Sequence, residues 1–251
     1  MPKVVILGSS NEVPDEAHEN SHMALVGSER FVLIDCTSTP IVRLRQAGLD
    51  VNKLTDLILT HFHPDHVSGV SLLLMNLWLL GRQQELRIHG LDHTLDRFET
   101  MMDLFGWENW PGFFPVEMNR LPEQEMAIVQ ETDEWKIYSS PVSHIIPNVG
   151  LRIEFNESKK VFAYSGDTEP STQVVKLAKD ADVLIHESTG LSWGHSDAAL
   201  AGEIAKQAKA RKLYLIHYAN GKFKDENMLT KAEQTFDGPV SLAKDFLELE
   251  F

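Results

Sequence analysis

Residues 61–66 constrain the fold of this chain more than any other stretch of its sequence. They read HFHPDH and place four metal-capable side chains in six positions: His61, His63, Asp65 and His66. The run LTDLILT directly before them has the apolar, β-branched character of a strand. Residues two apart in extended chain project from the same face, so His61 and His63 point the same way until Pro64 ends the strand. We therefore expect a strand-to-helix turn that presents metal ligands at one end of a sheet.

The chemistry of these side chains narrows the choice of metal. Imidazole and carboxylate suit zinc, and they also suit manganese or iron. Cys36 is the only cysteine, so neither an internal disulfide nor a cysteine-rich zinc site can form. A four-coordinate ion takes at most four protein ligands, so a turn that supplies four by itself favours two ions if other ligands converge on it. The alternative is a polar turn of solvated histidines, which we disfavour because the chain contains only 11 histidines.

Composition limits the class of protein further. The chain has 251 residues, 43% of them hydrophobic, and no linker, repeat or low-complexity tract divides it, so we expect one domain over residues 1–251. Its 23 basic and 37 acidic side chains give a net charge of −14, which opposes a broad electrostatic grip on nucleic acid. The single cysteine fits a reducing compartment, and no apolar run is long enough for a membrane span or a secretory signal. A soluble, cytoplasmic protein is expected.

Short apolar runs predict the strands, because each ends at Gly, Pro, Asp or Ser. They cover residues 4–8, 23–27, 31–35, 57–60, 135–139, 149–155, 161–166, 183–187 and 213–218. One helix is predicted to begin at Pro40, with Thr39 as its cap and Gly48 as its stop. Two more are predicted over 171–181 and after Ser196 or Asp197. Strands followed by alternating helices and strands predict mixed sheets covered by helices.

Three more metal-capable residues follow predicted strands. His144 comes after WKIYSSPVS, Asp167 after VFAYSG, and His217 after LYLI. Strand ends collect functional residues at one edge of a sheet, by the logic that places ligands in α/β proteins. Each residue alone also fits a core histidine or a capping aspartate. Their shared placement favours a common site with residues 61–66.

These motifs, in this order, resemble the metallo-β-lactamase superfamily and, within it, the ribonuclease Z-like group. The resemblance covers nearly the whole chain: LGSSNEVP, FVLIDC, THFHPDHVSG, His144, YSGDT, LIHEST, GHSD and LIHY. The HxHxDH element is highly specific to the superfamily, and the pair HEST and GHS points to the ribonuclease Z side. The resemblance implies a four-layer αββα sandwich of two mixed sheets, with metals at the rim between them.

The resemblance also implies a dinuclear hydrolase. One zinc site would use His61, His63 and His144, the other Asp65, His66 and His217, and Asp167 would bridge them. A hydroxide shared by the two ions would attack phosphorus, with Asp65 taking the proton of the water. His195 would protonate the leaving oxygen, and Glu187 would fix the tautomer of His195. The alternative for Glu187 and His195 is a capping pair at the start of the following helix.

The implied substrate is a small or nucleotide-like phosphodiester. Members of the group that process tRNA carry a long arm between the third-motif histidine and the bridging aspartate, whereas here only 23 positions separate His144 from Asp167. Two strands joined by the turn NESKK fill that space, and near the rim we expect only the basic pairs Lys159-Lys160 and Arg211-Lys212. A tRNA substrate is therefore not expected. The resemblance suggests a homodimer.

Two other functions stay open from the sequence. The same site could open a lactone or another carboxylic ester, or cleave an aryl sulfate, since the same hydroxide attacks carbonyl carbon. A module that binds metal without turnover is the third alternative, although metal binding alone needs neither Glu187 nor His195. The aromatic stretch 101–115 is interpreted as a core helix ending in a packed loop, with a hydrophobic wall of the site or a dimer surface as alternatives.

Overall fold

The computed structural model describes all residues, 1–251, and contains two seven-stranded mixed sheets. The strands are β1 Lys3–Gly8, β2 His22–Val26, β3 Phe31–Ile34, β4 Asp56–Ile58, β5 Leu86–Leu91, β6 Val116–Leu121, β7 Ala127–Glu131, β8 Trp135–Pro141, β9 Val149–Phe155, β10 Val161–Tyr164, β11 Val183–Glu187, β12 Leu213–Ile216, β13 Val240–Leu242 and β14 Glu248–Glu250. The strands of the first sheet lie in the order β14-β1-β2-β3-β4-β5-β6. Those of the second sheet lie in the order β13-β12-β11-β10-β9-β8-β7.

Seven α-helices and three short 3-10 helices complete the chain. The α-helices are α1 Pro40–Gln46, α2 Pro64–Val67, α3 Val70–Leu79, α4 Asp92–Leu104, α5 Thr172–Leu177, α6 Ala198–Ala208 and α7 Met228–Glu233. The 3-10 helices are Val51–Lys53, Trp107–Asn109 and Gly221–Phe223. None of the helices combines the length and the apolar character that crossing a membrane requires.

Three buried clusters define four layers. One cluster joins the outer face of the first sheet to α1, α3 and α4, and another joins the outer face of the second sheet to α5, α6 and α7. The central cluster lies between the sheets and contains the fully buried Trp135, Phe162 and Tyr164 opposite Ile6 and Met23. The expected four-layer αββα sandwich is thereby confirmed.

Strand direction determines where the polar strand ends meet. In the first sheet β3 to β6 run parallel, and in the second β10 to β13 run parallel. The residues after β4, β10, β11 and β12 therefore emerge at one edge, where the two sheets face each other. This edge is called the rim below.

The two basic pairs expected near the rim lie elsewhere. Strands β9 and β10 are antiparallel, so the turn with Lys159 and Lys160 joins them at the end of β10 remote from Asp167. Arg211 and Lys212 precede β12 and therefore lie at its remote end as well. Placing these pairs at the rim was wrong, because each pair precedes a strand whose carboxyl end forms the rim.

Most of the helix ends that the sequence predicts agree with the structure. Pro40 is the first residue of α1 and Gly48 has φ +70°, but the side chain of Thr39 makes no capping hydrogen bond. Asp197 caps α6 by accepting from the backbone N–H of Leu200 (3.0 Å). In the aromatic stretch, Phe114 is buried while Phe105 is exposed. The alternative roles of that stretch stay predictions.

We propose that residues 1–251 form one domain, because side chains of both sheets share the central cluster. Calorimetry should then give one unfolding transition whose calorimetric and van't Hoff enthalpies agree. Two resolved transitions would instead assign each sheet and its helices to a separate unit.

Candidate metal centre

Three imidazoles form the first candidate ligand set. His61 follows β4, His63 directly precedes α2, and His144 follows β8. Nε2 of His61 lies 3.0 Å from Nδ1 of His63, and Nε2 of His144 lies 3.2 Å from the same atom. Burial is the first cause of a lowered pKa in all three rings, which keeps them neutral. Neutral imidazoles that converge in this way are the donors zinc prefers.

The second candidate set combines two imidazoles with two carboxylates: Asp65, His66, Asp167 and His217. Oδ2 of Asp65 lies 3.5 Å from Nε2 of His66 and 3.3 Å from Nε2 of His217. Asp65 is in the first turn of α2, and His217 follows β12 with a φ of +53°. A histidine in the left-handed region is uncommon, and here it turns the ring toward the rim.

Asp167 lies between the two sets. Its Oδ2 is 3.8 Å from Nε2 of His61, 3.3 Å from Nε2 of His66 and 3.4 Å from Nε2 of His217. Gly166 before it has φ +61°, and a Cβ there would meet the carbonyl oxygen of Val149 at 2.7 Å, so the turn accepts only glycine without a shift. The structure thus brings together all seven of the ligands that the sequence predicts.

Two atoms of the site test whether a metal fits. Nε2 of His66 and Oδ1 of Asp167 are buried and have no hydrogen-bond partner. Unpaired buried polar atoms are costly, so their joint presence calls for a partner that the protein itself does not supply. With imidazole and carboxylate around them, divalent cations fit both atoms.

The charge state of the second set supports the same fit. Burial opposes a proton on His217, but Asp167 and Asp65 outweigh it and raise its pKa to about 9. Burial likewise opposes a proton on His66, yet Asp167 and Asp35 raise its pKa well above the usual value. The carboxylates thus attract positive charge to this set. A cation that binds there must displace these protons, so metal affinity should fall as the pH falls.

Glu187 and His195 form a pair beside both ligand sets. Oε1 of Glu187 lies 3.0 Å from Nδ1 of His195, and the ring of His195 is 5.0 Å from that of His144 and 5.8 Å from that of His217, centre to centre. Burial lowers the pKa of His195, but the hydrogen bond and charge of Glu187 outweigh burial and raise it. Glu187 also accepts the backbone N–H of Ser196 (3.1 Å), which precedes α6, but the side chain that caps this helix is that of Asp197.

The sequence did not single out the residues that orient the ligands. Asp35 is fully buried at the end of β3 with φ +59°, and its Oδ2 accepts from Nδ1 of His66 at 2.8 Å. Its Oδ1 accepts the backbone N–H of Thr60 at 2.8 Å, and Oγ1 of Thr60 lies 3.1 Å from Nδ1 of His61. Asp35 therefore fixes one ligand of each set, and the quoted motif FVLIDC was the signal that could have revealed it.

His144 and His217 are held by the segment between β11 and α6. Nδ1 of His144 donates to the carbonyl oxygen of Gly194 (2.8 Å), and Oγ1 of Thr189 lies 2.7 Å from Nδ1 of His217. Each contact occupies the ring nitrogen that faces away from the site. The other nitrogen of each ring is thereby aimed at the centre.

Asp35→Asn is expected to lower zinc affinity about 10- to 100-fold, because an amide orients His66 poorly and removes a charge. Competition with a chromogenic chelator measures this. Asp56→Asn is the matched control, since Asp56 is also buried and lies 2.9 Å from a histidine, His89, outside the site. Equal losses of affinity in the two variants would contradict the role given to Asp35.

The other histidines and the cysteine lie outside the ligand sets. His22 is buried beside the carbonyl oxygen of Asn20, His18 pairs with Asp15, and His186 donates to the carbonyl oxygen of Glu187. Burial raises the pKa of the Cys36 thiol well above its usual value, so this thiol is a poor nucleophile.

The centre opens into a cavity of about 470 Å³ lined by eight residues: Glu12, Asn20, His63, Pro64, Asp65, Ser68, Ile145 and His195. A larger cleft of about 730 Å³ lies at the opposite ends of β2, β3 and β4 and contains no imidazole. The smaller cavity is therefore the one that matters for chemistry at the rim.

An αββα sandwich with two converging sets of histidine and aspartate at its rim defines the metallo-β-lactamase class. The family model described as Beta-lactamase superfamily domain matches residues 30–218. The chain belongs to this family.

Curated relatives and solved structures agree with the ribonuclease Z-like resemblance. "Ribonuclease Z" of Methanothermobacter thermautotrophicus is 26% identical over 306 aligned positions, which cover 100% of this chain and 97% of that protein. "Ribonuclease Z" of Thermococcus onnurineus is 28% identical, covering 100% and 95%. The metallo-β-lactamase fold protein YhfI of Bacillus subtilis superposes with a TM-score of 0.84 at 23% identity, covering 100% and 99%. Human tRNase Z, short form, has a TM-score of 0.80 at 22% identity, covering 99% and 98%.

Proposed function

We propose that this protein is a dinuclear metal-dependent phosphodiesterase. The observation that carries the proposal is the Glu187–His195 pair, placed 5.0 to 5.8 Å (ring centre to ring centre) from ligands of both sets. A site that only binds metal has no use for a histidine outside the ligand sets whose pKa a buried carboxylate raises. A site that expels an alkoxide from phosphorus does.

The ligand sets would divide the ions between them. His61, His63 and His144 would hold one cation, Asp65, His66 and His217 the other, and Asp167 both. Bound there, two divalent cations, zinc by preference and manganese or iron as alternatives, would make water acidic and neutralise charge on the phosphoryl oxygens.

The chain's own residues would then move the protons. Asp65 lines the cavity, and its carboxylate would accept a proton from the attacking water as the oxygen of that water bonds to phosphorus. His195 donates its Nε2 proton to the oxygen that leaves as the ester bond breaks. Glu187 holds the Nδ1–H of His195, so that Nε2 faces the leaving group.

A panel of chromogenic substrates, together with elemental analysis, tests the proposal. We expect about two metal ions per chain and turnover of aryl phosphodiesters that a chelator abolishes. Turnover of lactones or aryl sulfates with no reaction of phosphodiesters would assign the site to carboxylic or sulfate esters. Bound metal without any turnover would favour the binding module.

We also propose that small or nucleotide-like phosphodiesters, rather than tRNA, are the substrates. The relatives named "Ribonuclease Z" and "tRNase Z" favour an RNA substrate instead. Three observations support the proposal. Only a five-residue turn joins β9 to β10, no Lys or Arg lines the cavity, and at least 55 of the 306 positions aligned with the Methanothermobacter relative have no counterpart in the 251 residues here.

Precursor tRNA with a 3′ extension and a thymidine aryl phosphodiester, compared under the same metal and salt conditions, decide between these substrates. We expect turnover of the small ester with no specific cleavage of the precursor. Efficient removal of the 3′ extension would show that the missing arm does not exclude tRNA. The predicted homodimer and cytoplasmic location need separate measurement, the first by sedimentation.

A further inference from the structure

One carboxylate in the cavity wall has no part in the proposed chemistry. Glu12 lies in the loop between β1 and β2. Its Oε1 is 3.6 Å from Nε2 of His195, the atom that would protonate the leaving oxygen. Glu12 therefore stands on the leaving-group side of the site. No Lys or Arg is among the eight lining residues.

Hydrogen bonds of the residues around Glu12 hold the backbone of its loop. The backbone N–H of Asn11 donates to the carbonyl oxygen of Tyr218 (3.2 Å), and the amide of Asn20 donates to the carbonyl oxygen of Asn11 (2.6 Å). Oγ of Ser10 donates to the carbonyl oxygen of Val13 (2.9 Å), on the other side of Glu12. Since Tyr218 directly follows the ligand His217, these bonds tie the loop to the metal centre.

The only basic group within 4.0 Å of the Glu12 carboxylate is His195. The side chain of Glu12 is 45% exposed, forms no ion pair with Lys or Arg, and meets His195 only beyond hydrogen-bond distance. A carboxylate that lines a cavity and pairs with no Lys or Arg attracts cations and repels anions that enter it. Because Glu12 lies beside the atom that would protonate the leaving oxygen, this preference concerns the charge of the leaving group.

We propose that Glu12 is a specificity-determining residue that selects phosphodiesters whose leaving alcohol or phenol carries a positive charge, such as a quaternary ammonium group. The inference rests on the proposed function and adds the substrate class to it. The same charge disfavours a leaving group that is part of a polyanion.

Two matched substrates test the inference. One is a methyl aryl phosphodiester whose phenol carries a trimethylammonioethyl group in the para position; the other has a quaternary carbon in place of the nitrogen. The ratio of their kcat/KM values should fall about fivefold in Glu12→Gln, through KM rather than kcat. In the wild-type protein the ratio should also fall at high salt, because the contact is partly exposed. Glu16→Gln is the control: Glu16 is exposed in the same loop, does not line the cavity, and should leave the ratio unchanged.

Each other outcome has a distinct meaning. An unchanged ratio in Glu12→Gln, or an equal change in Glu16→Gln, overturns the role of Glu12 while the hydrolysis of both esters upholds the phosphodiesterase. Hydrolysis of neither ester by the metal-loaded wild type overturns the proposed function and this inference with it. A lower metal content in Glu12→Gln, by elemental analysis, would make Glu12 a ligand for a cation instead of a selector of substrate.

Discussion

Asp167→Asn is expected to reduce phosphodiester turnover at least about 10³-fold and the metal content from about two ions per chain to one or fewer. The carboxylate is within 3.8 Å of imidazoles of both ligand sets, whereas each of the other candidate ligands belongs to one set only. Burial opposes its negative charge, but His217 and His66 hold the pKa of Asp167 well below its usual value. Asparagine keeps the shape and removes that charge, so the two cation positions lose their common ligand.

Elemental analysis and kinetics on the same preparation check this expectation. Asp180→Asn is the control, because Asp180 is an exposed residue at the end of α5 and should leave both quantities unchanged. Full occupancy by two ions in Asp167→Asn would show that the ligand sets hold their cations independently, and Asp167 would then not be a bridge.

Whether the sequence could predict a residue of this site follows from what determines the position of that residue. His61, His63, Asp65 and His66 are close in sequence, so one turn places them whatever the rest of the fold does. His144, Asp167 and His217 were predictable because each follows an apolar run that ends in the rim, and strand ends are visible in the sequence. Their shared placement favoured a common site with residues 61–66, and the family resemblance supplied the division of the ligands into two sets.

Residues whose role comes from backbone geometry were not predictable in the same way. Asp35 reaches Thr60 and His66 only because its φ of +59° turns the side chain toward β4. Glu12 reaches His195 because hydrogen bonds to Asn20 and Tyr218 fold its loop over the rim. The motif FVLIDC marks Asp35 but not its left-handed backbone, and the path of the loop with Glu12 leaves no local signal in the sequence.

Strands at the sheet edges were missed for a different reason. β13 and β14 have three residues each, and β6 is mostly half-buried, so none produces a buried apolar run. β7 has a bulge after Ile128, which interrupts its alternation. The central strands other than β5 were found because both of their faces are covered, which favours continuous apolar sequence. β5 was missed because Arg87, His89 and Gly90 interrupt its apolar run.

His195→Ala is expected to lower kcat about 10²- to 10⁴-fold for a dinucleotide, whose leaving group is an alkoxide, and less than about tenfold for a thymidine aryl ester. An alkoxide is a strong base and needs a proton as it leaves, whereas a nitrophenolate leaves without one. The ring of His195 is buried beside Glu187, with Nε2 directed into the cavity. Steady-state kinetics on both substrates measures the difference.

The pH dependence gives the same residue a second, independent test. Glu187 raises the pKa of His195 above its usual value, so the protonated acid persists to higher pH than a free histidine would allow. Dinucleotide cleavage should therefore fall as the pH rises through that raised pKa, and Glu187→Gln should move the fall to lower pH. His93→Ala, at a histidine of α4 that belongs to neither ligand set, should leave both the rate and the profile unchanged. Equal losses for the two leaving groups in His195→Ala would instead make His195 a residue that only supports the fold of the site, because a proton donor must discriminate between them.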